Sequence, residues 1–215
     1  MAPRAPRASE GEQYFEERPR SASSRHELRF LFRGELLTFL VDRSVFSSHG
    51  LDPGTALLIE NLDLAPTDRV LDLGCGWGAI GIAAAKTVAD GHVILTDINR
   101  RASYLARLNV ERNRVANAEV RTGSLFDPVR GERFDVIAVN PPFHAGRELI
   151  LELLSEAAEH LQDSGRILLV GKGSQGILFY QRWMSERWRN EVRVLDRRSG
   201  YRVLEARPGR EARHA

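Results

Sequence analysis

A short corner with the sequence NPPF, residues 140–143, follows an apolar run that is typical of a buried strand. Consecutive prolines remove two backbone donors and fix two φ angles, so neither a strand nor a helix continues through them. The corner would therefore hold two acceptors rigidly, the side-chain oxygen of Asn140 and the carbonyl oxygen of Pro141, with Pro142 and Phe143 next to them. The structural alternative is a simple Pro-Pro turn that Asn140 caps.

Two fixed acceptors of this kind suit one class of chemistry. The lone pair of an exocyclic amine on a base is delocalised into the ring, which makes the amine a poor nucleophile. Acceptors aimed at its hydrogens draw the nitrogen towards tetrahedral geometry and free the lone pair, and preorganised dipoles of this kind contribute several kcal/mol. The ring of Phe143 could stack on the base, which contributes about 1–3 kcal/mol.

A glycine-rich loop, LDLGCGWGAIG at residues 71–81, joins a predicted strand to a predicted helix. Glycines let a ligand approach the backbone, and the helix N-terminus offers free N–H groups. The spacing Gly76-x-Gly78-x-x-Gly81 matches the dinucleotide fingerprint, and Asp97 follows Gly76 by 21 residues. A nicotinamide oxidoreductase is therefore one interpretation of the loop.

The carboxylate of Asp72, two residues before Gly74, favours a different ligand. It would lie poorly beside a pyrophosphate but well beside a cation, and S-adenosylmethionine carries an ammonium and a sulfonium. Asp97, at the end of the next strand, would accept hydrogen bonds from ribose hydroxyls with either ligand. The structural alternatives are that Asp72 caps the glycine turn and that Asp97 is a solvated strand end. We expect S-adenosylmethionine.

The predicted elements alternate from residue 68 onwards, which indicates a parallel sheet with helices on both faces. The last segment, EVRVLDRRSGYRVLEAR, predicts a hairpin that makes one strand antiparallel. We therefore expect an α/β, Rossmann-like doubly wound sheet of seven strands. An N-terminal β-hairpin with strands at 28–32 and 36–41 precedes it. Predicted strands lie at 69–74, 92–98, 118–123, 134–140 and 165–171, and predicted helices at 78–89, 100–113, 148–161 and 177–188.

Composition limits the class of protein further. The chain has 215 residues, 42% of them hydrophobic, and a net charge of +2, which suits one globular domain. No apolar run approaches the ~20 residues that span a bilayer. The single cysteine, Cys75, indicates a reducing compartment, so we expect a cytoplasmic protein with neither a membrane association nor a metal site. Arginine-rich ends suggest a phosphate-binding surface, although 29 Arg against two Lys also fits a codon bias.

Three stretches together, VLDLGCGWGAIGI, TDINRRA and FDVIAVNPPF, resemble class I S-adenosylmethionine-dependent methyltransferases. The chain resembles most closely the RsmC-like branch, guanine-N2 methyltransferases of ribosomal RNA, over residues 14–205, including FSSHGLDPGT, NPPFHAG and SGYRVL. This resemblance implies S-adenosylmethionine as cofactor and ribosomal RNA or a ribosomal subunit, preferably the small one, as partner. It implies catalytic roles for Asn140, Pro141, Pro142 and Phe143. The implied cofactor-binding residues are Phe46, Thr55, Asp72, Gly74, Gly76, Gly78, Asp97, Ile98 and Asn140.

The adenine contact departs from the family pattern. The family usually has an acidic residue just after the third strand, where this chain has Ser124 in TGSLFD. Ser124 and the backbone of Leu125 could take its place, or Asp127 could reach in.

The domain organisation departs as well, because members with two fused halves use the N-terminal half as a guide. We expect a flexible tail at 1–25 and a methyltransferase domain at 26–215. Within the domain we expect the hairpin at 26–45, a lead-in loop and helix at 46–66, the core at 67–207 and a tail at 208–215. RNA recognition would then fall to the hairpin, the basic ends or a second subunit, and a homodimer is one such arrangement.

Methylation of guanine N2 is the expected activity, with three alternatives. Adenine N6 in nucleic acid and a protein glutamine amide would use the same corner, although the glutamine pattern more often has Tyr where Phe143 stands. From a different class, the chain could be a catalytically idle RNA-binding domain that kept the cofactor fold.

Overall fold

The computed structural model describes residues 25–42, 50–209 and 212. Most of the predicted tail and Phe46 of the lead-in loop lie outside the described residues. Nine strands lie in these described ranges: β1 (Arg25–Phe32), β2 (Glu35–Asp42), β3 (Arg69–Leu73), β4 (His92–Asp97), β5 (Ala118–Thr122), β6 (Phe134–Val139), β7 (Leu161–Lys172), β8 (Val192–Arg198) and β9 (Tyr201–Ala206). The same part of the chain contains the α-helices α1 (Pro53–Glu60), α2 (Ala79–Thr87), α3 (Arg100–Arg112), α4 (Arg147–Glu159) and α5 (Ile177–Trp188).

The main sheet has seven strands in the order β5-β4-β3-β6-β7-β9-β8. β9 runs antiparallel to both of its neighbours, and the pairs from β5 to β7 are parallel. The predicted doubly wound fold with an antiparallel last strand is therefore confirmed. The final hairpin places β9 inside the sheet, so β8 forms the edge.

The order of the strands brings the two chemical segments of the sequence together. From β3 the chain builds β4 and β5 on one side, and β6 then pairs with β3 on the other. Leu73, the last residue of β3, pairs with Val139, the last residue of β6. The glycine loop and the NPPF corner therefore begin side by side at the carboxyl edge of the sheet, where folds of this type bind ligands.

The N-terminal hairpin is confirmed and is longer than predicted. Arg33 and Gly34 form its turn with φ angles of 47° and 83°, a geometry in which a glycine costs little. Phe39 and Val41 of β2 are fully buried. The ring centroids of Phe39 and Trp77 of the glycine loop lie 4.9 Å apart. The hairpin is thus part of the wall behind the loop and not a separate arm.

Two asparagines, Asn109 of α3 and Asn113 at its C-cap, bind the free edge of β2 as a further strand would. Asn113 accepts a hydrogen bond from the N–H of Thr38 at 3.0 Å and donates to its carbonyl at 2.9 Å. Asn109 does the same to Leu40, at 2.7 and 3.0 Å, and also donates to the carbonyl of Trp77 at 2.8 Å. Asn109 therefore joins the hairpin, α3 and the glycine loop.

We expect the substitution Asn109→Ala to lower the free energy of unfolding by about 3 kcal/mol, because it leaves three backbone groups without a partner at about 1 kcal/mol or more each. Urea unfolding would measure the loss. Asn113→Ala is the matched control, since it opens the same strand edge but leaves the carbonyl of Trp77 paired. A loss below 1 kcal/mol for Asn109→Ala would contradict the structural role given to it.

Candidate active site

A cavity of about 220 Å³ opens at the carboxyl edge of the sheet. Its wall contains most of the residues that the sequence predicts for the site: Thr55, Gly74, Gly76, Asp97, Ile98, Ser124, Leu125, Asn140, Pro141, Pro142 and Phe143. Asp72 and Gly78 lie behind the lining, and their predicted contact with a cofactor stays a prediction. Asp127 forms an ion pair with Arg130 at 2.7 Å and does not line the cavity, whereas Ser124 does.

The glycine loop keeps its shape through unusual backbone angles and two hydrogen bonds to β4. Gly74 and Gly76 have φ angles of 72° and 57°, in the left-handed region that favours glycine. The N–H groups of Gly74 and Cys75 both donate to the carbonyl of Thr96 at 2.9 Å. The loop therefore follows the end of β4 closely, which brings Asp97 to the cavity.

Both carboxylate oxygens of Asp97 hold backbone at the cavity edge. Oδ2 accepts from the N–H of Gly76 and Oδ1 accepts from the N–H of Asn99, each at 2.8 Å. Burial raises the pKa of Asp97 to about 6. Each oxygen keeps a second lone pair that can accept a hydroxyl hydrogen. The side chain is thus fixed in place with acceptor capacity left, as a grip on two ribose hydroxyls requires.

Asp72 lies beneath the loop and is only 1% exposed. Its Oδ2 accepts from the N–H of Gly81 at 2.7 Å. Its Oδ1 has no hydrogen-bond partner within the described part of the chain. Burial raises the pKa of Asp72 to about 7. A half-satisfied buried carboxylate is costly, and a cationic group nearby would stabilise its charged form, so Asp72 fits the ammonium end of S-adenosylmethionine.

In cofactor-free solution, Asp72 should make the protein less stable as the pH rises. Below pH 3.8 the carboxyl is protonated in both the folded and the unfolded chain. Between 3.8 and about 7 only the folded chain keeps the proton, so stability falls as the pH rises. We expect the difference in unfolding free energy between wild type and Asp72→Asn to change by on the order of 4 kcal/mol, at 1.36 kcal/mol per pKa unit.

Urea unfolding of both proteins at pH 4, 6 and 8 would measure this change. The variant should gain on wild type as the pH rises. A constant difference across this range would show that Asp72 titrates normally.

At the NPPF corner, two hydrogen bonds orient the Asn140 amide. Its Nδ2 donates to Asp52 Oδ2 at 3.0 Å and to Thr55 Oγ1 at 2.9 Å. Both amide hydrogens are thus engaged on the side of α1, and Oδ1 is left as an acceptor. The carbonyl of Pro141 already accepts from the N–H of Phe143 at 2.9 Å, which leaves it one lone pair for a further donor.

Phe143 follows the prolines in a single 3₁₀ turn, Phe143–Ala145. Its ring centroid lies 5.7 Å from that of Tyr180 on α5. A Cβ on Gly171 would lie only 2.5 Å from the tip of the Phe143 ring. The absence of a side chain on Gly171 is therefore what lets the ring occupy its place in the wall.

Displacing that ring should weaken binding of a flat base without affecting the cofactor. We expect Gly171→Ala to lower kcat/KM for methyl transfer about 10-fold, which corresponds to roughly 1.4 kcal/mol within the range of base–aromatic stacking. Gly173→Ala is the control, because nothing lies within 4 Å of a Cβ there. Equal activity of the two variants would contradict a stacking role for Phe143.

Two polar residues of the site were not predicted from the sequence. Asp52 caps α1 and contacts Asn140, and the hydroxyl of Tyr201 donates to Asp52 at 3.2 Å. The dipeptide Asp52-Pro53 does carry a signal, because Asp at the N-cap with Pro at the next position is a typical helix start. Nothing local indicates the contact with Asn140.

Two other features, a membrane-spanning helix and a metal site, were also sought among the described residues. No helix among them is long and apolar enough to cross a membrane. Nor do they contain three or more His, Cys, Asp or Glu side chains placed to hold a metal ion.

Comparison with known proteins places these features in a family. The methyltransferase small domain family matches residues 36–205. An uncharacterised protein of Bacillus subtilis, YbxB, is 32% identical over 91% of this chain and 98% of its own length. Ribosomal RNA small subunit methyltransferase C of Ectopseudomonas mendocina is 36% identical over 76% of this chain and 49% of its own. The chain thus spans about half the length of that curated relative.

A solved structure gives the same result. The 16S rRNA N2 G1207 methyltransferase (RsmC) of T. thermophilus, in complex with AdoMet and guanosine, superposes with a TM-score of 0.75. It is 26% identical in sequence, and the match covers 88% of this chain and 52% of that one.

Together the sheet, the cavity and these matches define a class I methyltransferase that uses S-adenosylmethionine. More narrowly, the chain belongs to the methyltransferase small domain family. The dinucleotide interpretation of the glycine loop is therefore wrong. The spacing of the glycines left the choice open, because loops of this kind bind either cofactor.

Proposed function

We propose that this enzyme methylates the exocyclic N2 of guanine in ribosomal RNA, with small-subunit RNA the favoured substrate. The observation that carries the proposal is that Asn140, Pro141 and Phe143 share one cavity wall with the glycine loop and Asp97. A group held by the loop and a base held by the corner would therefore meet in a single space. Two relatives support the choice of base: a small-subunit ribosomal RNA methyltransferase and a 16S rRNA N2 G1207 methyltransferase whose structure contains guanosine.

The residues of the chain would divide the work as follows. Asp97 would hold the ribose and Asp72 would face the charged amino acid end of the cofactor, which supplies an electrophilic methyl group. Asn140 Oδ1 and the Pro141 carbonyl would accept the two hydrogens of the guanine amine. The nitrogen is then held close to its target geometry. It becomes acidic only as it is alkylated, so one of its protons can pass to solvent and no strong base is needed.

Phe143 would stack on the target base, which must be unpaired or flipped to enter the cavity. An aromatic strip leads outwards from it: Tyr180 lies next to Phe143, Phe179 lies 5.3 Å from Tyr180, and the guanidinium of Arg147 lies 4.5 Å above the ring of Phe179. Phe179 is 39% exposed. Aromatic and arginine surfaces of this kind suit the bases and phosphates that flank a target in single-stranded RNA.

The test is methyl transfer from radiolabelled S-adenosylmethionine to total ribosomal RNA from cells that lack this protein, followed by digestion to nucleosides and identification by mass. We expect label in N2-methylguanosine. Label in N6-methyladenosine would keep the corner chemistry and refute the choice of base. Label in protein would indicate a glutamine amide, and no label despite tight cofactor binding would indicate an idle RNA-binding domain.

Two further features belong to the proposal. We propose that the enzyme is cytoplasmic, because its proposed substrate, ribosomal RNA, is found there. A homodimer stays a prediction, and light scattering of the protein with and without RNA would test it.

A further inference from the structure

One carboxylate connects three separate parts of the site. Asp52 Oδ2 accepts from the N–H of Thr55 at 2.9 Å, which caps α1, and from Asn140 Nδ2 at 3.0 Å. The other oxygen, Oδ1, accepts from the hydroxyl of Tyr201 at the start of β9 at 3.2 Å. Asp52 thus ties the lead-in helix to the NPPF corner and to the antiparallel strand.

This arrangement determines which way the Asn140 amide faces. A carboxylate only accepts hydrogen bonds, so it pairs with the NH₂ end of the amide and repels the oxygen end. A flipped amide would bring its oxygen to about 3 Å from Asp52 Oδ2 and leave the NH₂ group facing the cavity. Such a group would repel the hydrogens of a substrate amine, whereas the observed orientation leaves Oδ1 to accept them.

Tyr201 and Gly54 keep the carboxylate in place. A Cβ on Gly54 would lie 2.7 Å from the ring of Tyr201, so the ring packs directly on the start of α1. The ammonium of Lys172 also contacts this ring and lies 4.6 Å from its centroid. Burial, with the nearby Asp52 charge, raises the pKa of Tyr201 to about 12, so the hydroxyl stays protonated and can donate.

We propose that Asp52 is the positioning residue for Asn140, and that Tyr201 fixes Asp52 in turn. The proposal rests on the proposed function, since it assigns Asn140 Oδ1 to the substrate amine. It concerns a residue that acts through another and not one that touches the reacting atoms.

Serine and asparagine at position 52 separate this role from that of a helix cap. Ser, Asn and Asp cap helices about equally well. Asp52→Ser keeps an oxygen for the N–H of Thr55 but is too short to reach Asn140. Asp52→Asn keeps a carbonyl oxygen where Oδ2 lies and can hold both. We expect Asp52→Ser to lower kcat 10- to 100-fold and Asp52→Asn to restore it to within about 5-fold of wild type, both with unchanged affinity for S-adenosylhomocysteine.

Two controls make the result specific. Asp68→Ser removes a carboxylate that accepts from the N–H of Ala65 at 3.0 Å, away from the cavity, and should leave kcat unchanged. In the Asn140→Ala background, Asp52→Ser should cause no further loss, because its effect passes through Asn140. Additive losses would overturn the proposal, as would full activity of Asp52→Ser or equal inactivity of the Ser and Asn variants.

A second measurement does not depend on activity. In the ¹⁵N spectrum, the side-chain NH₂ pair of Asn140 is the pair that disappears in Asn140→Ala. We expect this pair to shift in Asp52→Ser and to stay near its wild-type position in Asp52→Asn and Asp68→Ser. A pair that does not move refutes the positioning role even if the enzyme methylates RNA. If wild type transfers no methyl group and the pair still shifts, the proposed substrate is wrong and the positioning of the amide stands.

Discussion

Replacing Asn140 with alanine is expected to lower kcat for methyl transfer about 10³-fold, while the affinity for S-adenosylhomocysteine stays within about 3-fold of wild type. Removal of a single preorganised acceptor or donor at a reacting centre costs 10²–10³ in comparable sites. Asn140 is also implied as a cofactor contact, but its amide bonds to Asp52 and Thr55 and not to the glycine loop or Asp97, so we expect the main cofactor contacts to survive its removal. Single-turnover methylation and calorimetric titration would measure the two quantities.

The matched control is Asn117→Ala. Its amide donates to the carbonyls of Ala85 and Val88 at 3.1 and 2.7 Å, so its loss should reduce stability and leave kcat unchanged. If the Asn140→Ala variant keeps a tenth or more of the wild-type rate, the NPPF corner takes no part in the reaction. The site would then serve binding only, as in an idle RNA-binding domain.

Replacing Asp97 with alanine should produce the complementary result, a loss of cofactor affinity of about 100-fold. The carboxylate holds the backbone of Gly76 and Asn99 and would accept the ribose hydroxyls. A hydrogen bond to a charged group contributes about 1.5–3 kcal/mol, so two lost bonds correspond to roughly 100-fold or more. Saturating cofactor should restore part of the rate, which distinguishes this variant from Asn140→Ala.

Asp127→Ala serves as its control and also answers which residue faces the adenine. Asp127 is exposed and pairs with Arg130, so its removal should leave the affinity unchanged. A loss comparable with that of Asp97→Ala would mean that the loop after β5 closes over the cofactor and brings Asp127 inwards. In that case Ser124 would lose the role that the cavity wall suggests for it.

The parts of the site that the sequence predicted are those in which spacing and backbone chemistry act locally. The glycine loop and the NPPF corner each predict a sharp turn after a buried strand, because their glycines and prolines are incompatible with a continued strand. The alternation of strands and helices then implies that both turns lie at the same edge of the sheet. The register of Leu73 with Val139 is the structural form of that inference.

The parts that escaped prediction depend on contacts between distant segments. Asp52 reaches Asn140 across 88 positions, and Asn109 reaches Leu40 across 69. An Asp before Pro predicts a helix cap, and an Asn inside an amphipathic helix predicts little at all. Which further group each side chain meets depends on how α1 and α3 pack on the sheet, and local sequence rules carry no information about that packing.

The position of β9 affects the order in which the protein can fold during its synthesis. Because β9 runs against its neighbours, its first residue, Tyr201, lies at the edge where the parallel strands end. The strand β9 also lies between β7 and β8, so β8 joins the sheet only through β9. During synthesis the glycine loop and the NPPF corner leave the ribosome long before the strand that completes them. Such a nascent chain can already pair β3 with β6, but the hydrogen bond from Tyr201 to Asp52 forms only once β9 has been made.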